Sequence, residues 1–463
     1  MDRRTFLTRT GGLATVTLLA GCGSDGGDGS DGEDGSGGDD SDDGDGGSDG
    51  SDGSSDGSDG SDGEDGGSTG GDSDPITVGV LVPFSGDYAW VGENVLPVAE
   101  MVAEEINAEG GIESRELRVV QGDTEASPDS SLSATQRLIE VEGASAIVGP
   151  TSLTFSAVSD EFTQNQVPSV SPTAGTTALD DQGGEFIFRT VPSDALGGRA
   201  IAAAARDQEY NTMQDYEEMT LMVGNQEVFQ SFKQPISSSF EEFGGTVLEA
   251  QDFRTGKASY QSEVEGMIST DPEITSLVAS VEDSIKIMEA AFQAGYEGNW
   301  FLTQDQTNEE FLAQSENQVT DGVLGLQEAP FQEAEESGRL DEFSQRIQDY
   351  AGWDENRLFA TNTYDAMNVV GLAMKQTVAN GDDITGSTVA GNVPTVANPP
   401  DEAVTNYPEG ATAIEDGTDV DYRGLVGPID FNEFGDIVAP FSIQMADSGE
   451  WTEAARVPPE AIQ

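Results

Sequence analysis

No histidine occurs anywhere in the 463 residues, and cysteine occurs once, as Cys22. Ser-His-Asp and Cys-His catalysis and histidine-ligated zinc are excluded for want of the residues. No disulfide can close within the chain. Lysine is nearly missing as well, present only at 233, 257, 286 and 375. Lysine and arginine together number 19 against 88 Asp and Glu, a formal net charge of −69 at pH 7. Such a surface repels a phosphate backbone, so nucleic acid is not an expected partner. The apolar run from Gly11 to Ala20 is too short for a membrane span, which takes about 20 residues. The chemistry left open is that of oxygen: a carboxylate pair for hydrolysis or oxygen ligands for a hard cation. No spacing in the sequence marks either, so no catalytic residue, metal site or cofactor is expected.

What the chain has in excess is acid. Residues 75–463 alone carry 68 acidic and 16 basic side chains, a net of −52. At ordinary ionic strength that charge repels itself and weakens a compact state. At about 1 M salt the Debye length falls to about 3 Å and the repulsion is screened. The composition therefore points to a protein built for strong brine.

The N-terminus reads as an address. Arg3-Arg4-Thr5-Phe6-Leu7 followed by a short apolar stretch has the layout of an export signal and resembles the twin-arginine kind, which exports folded proteins. Leu19-Ala20-Gly21-Cys22 resembles a lipobox, with Cys22 the lipidated residue after cleavage. Residues 1–22 are thus expected to be a signal that leaves a lipid anchor on the outer face of the cell membrane. Residues 23–74 are almost entirely Gly, Asp and Ser, with 19 acidic residues. They cannot bury a core and are expected to form a disordered spacer. Its Asp-Gly pairs fit neither the EF-hand loop nor the calcium-binding nonapeptide repeat.

From Pro75 strands alternate with helices. Ile76–Val82 is a β-branched run of strand length, and Val95, Val98, Val102 and Ile106 recur at helical spacing before Gly110-Gly111 stops the helix. Strands over 116–121, 144–148 and 167–171 alternate with helices over 130–142 and 153–165. The pattern restarts after Ser193, with strands over 219–223, 246–252, 274–279 and 300–303 and helices over 195–207, 229–243, 260–269 and 284–294. Alternation of this kind implies parallel sheets covered by helices on both faces. The expected fold class is α/β, two Rossmann-like lobes, with ligands held beyond the C-terminal ends of the strands.

A series of short motifs runs through this part in order: Val80-Leu-Val-Pro-Phe-Ser-Gly86, Glu105-Ile-Asn-Ala-Glu-Gly-Gly-Ile112, Asp123-Thr124, Ile147-Val-Gly-Pro-Thr-Ser152, Val167-Pro-Ser-Val-Ser-Pro172, Phe188-Arg-Thr190 with Asp194, Phe243-Gly-Gly245, Tyr364-Asp-Ala366, and Gly424-Leu-Val-Gly-Pro-Ile-Asp-Phe431 with Gly435-Asp436. The series resembles the branched-chain amino-acid (Leu/Ile/Val-binding) class of substrate-binding proteins of ABC transporters, the type I periplasmic binding protein fold, here in a halophilic lipoprotein form. The resemblance implies two lobes joined by a three-strand hinge, with crossings near 190–193, 326–328 and 438–441. The N-terminal lobe would comprise 75–191 plus 328–438, and the C-terminal lobe 192–327 plus 439–463.

The resemblance also implies a site. Thr151 and Ser152 follow Gly149-Pro150 and lead into a helix, where hydroxyls and N–H groups suit a carboxylate; the same placement also serves ordinary capping. In Ser171-Pro-Thr-Ala-Gly-Thr176 the family's threonine position falls on Gly175, leaving Thr173 and Thr176 on either side as candidates. Asp305 aligns with the acidic residue that holds the ligand ammonium, one methylene shorter. Trp90 stands one position from the family's aromatic wall, beside Val91, and Phe229 is a candidate second wall. Ser280, with Glu282, ends another strand of the second lobe, and Arg189 is expected to support the hinge. The expected function is extracellular capture of an amino acid, branched-chain or otherwise neutral, for ABC permease subunits, by a monomer that is not an enzyme. Urea or short-amide import, and sensing with the same clamp, are the alternatives.

Overall fold

The computed structural model describes residues 74–211, 213–354, 356–398 and 402–462. The expected signal, Cys22 and all but the last residue of the expected spacer lie outside the described residues. The first sheet contains β1 (Ile76–Val82), β2 (Leu117–Asp123), β3 (Ala144–Val148), β4 (Ser169–Ser171) and β5 (Ile187–Arg189), all parallel, in the order β2-β1-β3-β4-β5. Every residue of β1 is buried, as a central strand covered by helices on both faces requires. The helix Ala89–Ala108 packs Val95, Val98, Val102 and Ile106 into the same core as the helix Ala360–Ala379, which contributes Met367, Val370 and Met374. The first of these helices starts five residues before the expected Asn94. The approach to it is pinned by tertiary bonds: Phe84 donates its N–H to Asp123 Oδ1 at 2.9 Å, and Gly92 to the Pro83 carbonyl at 3.1 Å.

The second sheet is built from β6 (Glu218–Gly224), β7 (Thr246–Phe253), β8 (Ile274–Val278), β9 (Asn299–Leu302) and β10 (Leu324–Glu328). A separate pair, β11 (Glu402–Val404) and β12 (Val420–Tyr422), lies between β10 and the last two strands in sequence. Those strands, β13 (Phe441–Asp447) and β14 (Glu450–Val457), complete the second sheet in the order β14-β13-β10-β9-β8-β6-β7. Here the expectation of a purely parallel sheet is corrected, since β13 runs antiparallel to both β10 and β14. Alternation sends successive side chains to opposite faces. Leu221, Val223 and Phe301 pack with the helix Glu227–Glu242, while Met222 and Leu302 pack with the helix Val281–Gln293.

The chain passes between the sheets three times. β5 ends at Arg189, and the helix Asp194–Arg206 belongs to the core of the second sheet. β10 ends at Glu328, and Ala334 is back in the core of the first. Ile437 is in the first core, and β13 begins four residues later in the second. The two-lobe α/β fold read from the periodicity and the motifs is the fold of the chain.

Two of these crossings are tied by one asparagine. Asn362 Nδ2 donates to the Thr190 carbonyl at 2.9 Å and to Glu328 Oε2 at 2.7 Å, and Thr190 Oγ1 donates back to the Asn362 carbonyl at 2.8 Å. Glu328 Oε1 is buried and takes no hydrogen bond, and burial pushes the carboxyl up to about 7. A carboxyl raised on folding stabilises the native state below its unfolded value, about 4, and loses that contribution as pH rises through the folded value. Asp365, raised to about 6 by burial, acts in the same direction. The ligand-free protein should therefore melt higher at about pH 5 than at about pH 8 in constant high salt. Glu328→Gln should raise the melting temperature at the upper pH and shrink the difference. Parallel melting curves for the two proteins across that range would contradict this account.

Candidate functional site

A cleft of about 500 Å3, counting the part open to solvent, lies between the lobes. The first lobe supplies Tyr88, Trp90, Val91, Thr151, Ser152, Leu153, Thr173, Gly175 and Phe359; the second supplies Asp194, Val228, Phe232, Gln304 and Asp305. The cleft lies where the β1, β3, β4 and β9 loops converge, beyond the C-terminal ends of the strands, where the topology of parallel sheets puts ligands.

The corner that carries Thr151 and Ser152 is built by serines that do not line it. Ser169 Oγ donates to the Gly149 carbonyl at 2.5 Å and Ser171 Oγ to the Pro150 carbonyl at 2.6 Å. Ser171 Oγ also receives the N–H groups of Thr173 and Ala174. The loops after β3 and β4 are thereby held together, and Thr151 and Ser152 are presented just before the helix Phe155–Asn165. Thr151 lines the cleft, and its Oγ1 is buried without a hydrogen-bond partner. Ser152 Oγ accepts from Thr176 N–H at 3.1 Å, which leaves its own proton to donate.

On the opposite side Asp305 follows β9. Its loop is fixed from beneath by Gln306, whose Oε1 accepts from Thr303 N and Oγ1 and whose Nε2 donates to the Leu277 carbonyl and Ser284 Oγ. No donor among the described residues reaches the Asp305 carboxylate, and burial pushes it up to about 6. Asp194, at the start of its helix, is 4% exposed. Burial raises it to about 7, against the hydrogen bond from Ser231 Oγ at 2.5 Å and the charge of Arg189. No lysine or arginine lines the cleft among the described residues. All four lysines pair with carboxylates elsewhere, at Asp252, Glu263, Glu282 and Glu415.

The walls are apolar. Trp90 stacks on Phe359 with ring centroids 6.2 Å apart and planes 12° from parallel. Phe359 holds φ = 68°, a left-handed backbone that costs a non-glycine residue on the order of 1 kcal/mol and is kept where packing imposes it. Across the cleft mouth Tyr88 Oη donates to Gln226 Oε1 at 3.1 Å and Ser156 Oγ to Glu227 Oε1 at 2.8 Å. These bonds join one lobe to the other.

Of the residues expected at the site, Trp90, Thr151, Ser152, Thr173 and Asp305 line the cleft, and three do not. Thr176 contributes its N–H to Ser152 and spends its hydroxyl on Ala178 N–H in a turn. Phe229 is buried in the core of the second lobe, because the helix presents Val228 and Phe232 to the cleft instead. Ser280 caps the helix Val281–Gln293 by accepting from Asp283 N–H. Arg189, expected at the hinge, is fully buried and donates to the carbonyls of Ala174, Gly175 and Thr176. The lining by Tyr88, Leu153, Asp194, Gln304 and Phe359 was not foreseen. Asp194 stood in a quoted motif but carried no assigned role, and no local signal marks Phe359.

A two-lobed α/β clamp with a cleft between its lobes is the build of a solute receptor. The chain belongs to the periplasmic binding protein family, whose model matches residues 75–450. Among curated proteins it is similar to the chemotactic signal transduction system substrate-binding protein BasB of Halobacterium salinarum, 23% identical over 81% of this chain and 88% of that one. Among solved structures it is similar to the leucine-binding protein LivK of Thermotoga maritima, with a TM-score of 0.68 at 20% identity over 83% of this chain and 99% of that one. It is also similar to an ABC-transporter solute-binding protein of R. palustris in complex with benzoate, with a TM-score of 0.64 at 18% identity over 84% and 99%.

Proposed function

We propose that this protein captures an amino acid, branched-chain or otherwise neutral, outside the cell and delivers it to the permease subunits of an ABC importer, making and breaking no covalent bond. The observation that carries this reading is the pairing of two unsatisfied groups across one cleft. Thr151 offers a buried hydroxyl without a partner in one lobe, and Asp305 offers a carboxylate without a donor in the other. A zwitterion supplies both missing partners at once, carboxylate to the helix start and ammonium to the aspartate. Only the closed state makes both sets of contacts, so binding favours closure, and the closed face is what a permease reads. The walls of Trp90, Val91, Val228, Phe232 and Phe359 suit an apolar side chain.

The anchor is Cys22, reached by twin-arginine export, and residues 23–74 hold the monomeric clamp off the membrane. The two lobes are residues 75–191 plus 328–438 and 192–327 plus 439–463. The net charge fits export into brine. The similarity to BasB, named for chemotactic signal transduction, favours sensing as a second reading; both readings use the same cleft.

The test is a thermal-shift screen of the full chain in about 2 M KCl, where charge repulsion is screened, against the twenty amino acids, urea, short amides and nucleosides. A ligand of the folded state at 100 times its dissociation constant should add about 2.7 kcal/mol. We expect a clear shift with neutral amino acids that Asp305→Ala abolishes. A shift untouched by that substitution removes Asp305 from the site, and no shift with any amino acid removes the amino-acid reading.

A further inference from the structure

We propose that Asp194 is a second anchor for the solute's cationic end. The cleft then grips a primary ammonium between two carboxylates, those of Asp194 and Asp305, and rejects solutes that carry only an anionic group. This deepens the clamp reading above and rests on it.

Three observations carry it. First, Asp194 faces the cleft with one oxygen uncommitted: Ser231 fixes Oδ2, and no donor among the described residues reaches Oδ1. Second, residue 175 is shaped around that oxygen. A Cβ on Gly175 would lie 2.3 Å from Asp194 Oδ1, a distance real Cβ atoms do not tolerate. The glycine and the aspartate are further joined by the bond from Asp194 N–H to the Gly175 carbonyl at 2.7 Å. The lining position that could have carried a hydroxyl is thus vacated for a carboxylate. Third, nothing in the lining neutralises the pair. The guanidinium charge that acts on Asp194, that of Arg189, is committed to Asp180, Asp436 and three carbonyls.

A buried carboxylate without a cation or a full set of donors is costly. An ammonium with three N–H groups can donate to Asp194 Oδ1 and to Asp305 together, which are the strong charge-assisted kind of hydrogen bond. A quaternary ammonium has no such proton to give. A solute bearing only a carboxylate would place a further negative charge beside Asp194 and Asp305. Asp194 is thereby a determinant of which solutes this protein binds.

The experiment is titration calorimetry on the full chain in about 2 M KCl. The probes are the amino acid giving the largest thermal shift, its decarboxylated amine and its deaminated acid. For leucine these are L-leucine, 3-methylbutylamine and 4-methylpentanoate. The wild type should bind the first two and not the third. Asp194→Asn, which keeps the bond to Ser231, should weaken both by about tenfold or more, the scale of one hydrogen bond to a charged group. It should also narrow the gap between amine and acid while leaving the ligand-free melting temperature unchanged or raised. Ser231→Ala, which leaves the charge in place, should keep the selectivity. Should Asp194→Asn bind within twofold of wild type, or the deaminated acid bind as well as the amino acid, Asp194 is only a structural residue and the amino-acid reading stands without it. A wild type that responds to no amino acid overturns both.

Discussion

Arg189→Met should lower the stability of the protein by about 3–5 kcal/mol, the usual cost of removing one partner of a buried charge cluster. In a thermal melt that corresponds to a fall of about 5 °C. The Arg189 side chain is fully buried. Its Nη2 reaches Asp180 Oδ1 at 2.5 Å, and its Nε lies 2.7 Å from Asp436 Oδ1 as an ion contact rather than a well-directed hydrogen bond. Its Nη1 is shared among the carbonyls of Ala174, Gly175 and Thr176 at 3.0–3.3 Å. Methionine fills similar space but leaves two carboxylates and a run of carbonyls without their donor. Since the run includes Gly175, the same substitution should also weaken solute binding, although Arg189 itself does not line the cleft. Lysine should not rescue, because one ammonium cannot reproduce the planar fork. A melt within about 2 °C of wild type would mean that the cluster is not what holds the loop.

Asp365→Asn should cost about 2–4 kcal/mol, from the loss of hydrogen bonds to a charged acceptor and the burial of an amide against backbone donors. The Asp365 carboxylate receives Tyr422 Oη at 2.9 Å, Leu425 N–H at 2.9 Å and Val426 N–H at 3.0 Å. All of these groups are buried donors, so every one of them calls for an acceptor. Asparagine keeps one acceptor oxygen and turns an NH2 toward an N–H. Gly424 makes the approach possible, since a Cβ there would stand 2.4 Å from Asp365 Oδ2. Chemical denaturation at fixed salt, with an unchanged slope, measures the loss. A variant as stable as wild type would show that the carboxyl is already protonated in the native state at the pH used. Burial pushes it up to about 6, so the measurement belongs at about pH 8.

These two anchors join motifs that lie far apart in the sequence. Tyr364-Asp-Ala366 and Gly424-Leu-Val-Gly427 are the two sides of one bond set, and Phe188-Arg-Thr190 meets Gly435-Asp436 at Arg189. Read along the chain, each motif is a short run of common residues. Their order was informative, but the bonds that select them were not visible. The strand ends carrying Thr151, Ser152, Thr173 and Asp305 were legible because strand-helix alternation tells which loops share one end of a parallel sheet. Phe229 was placed wrongly for a reason of phase. One residue along a helix is a turn of about 100°, so Val228 and Phe229 face different neighbours. Thr176 and Ser280 were misjudged because a hydroxyl beside a turn or helix start serves the backbone as readily as a ligand.

The sequence by itself determined the chemistry that is impossible here, the acidity of the surface and the α/β alternation. It also determined the family, through motifs in a fixed order. These are properties of composition and near neighbours. Tertiary structure alone decided which side chains face the cleft and which charges are left without partners. Trp90 finds Phe359 only through the packing of the helices Ala89–Ala108 and Ala360–Ala379. Asp194 becomes a cleft residue only because Gly175 lets the two loops touch. Contacts between segments distant in the chain depend on how whole elements pack, and no local pattern of residues encodes that distance.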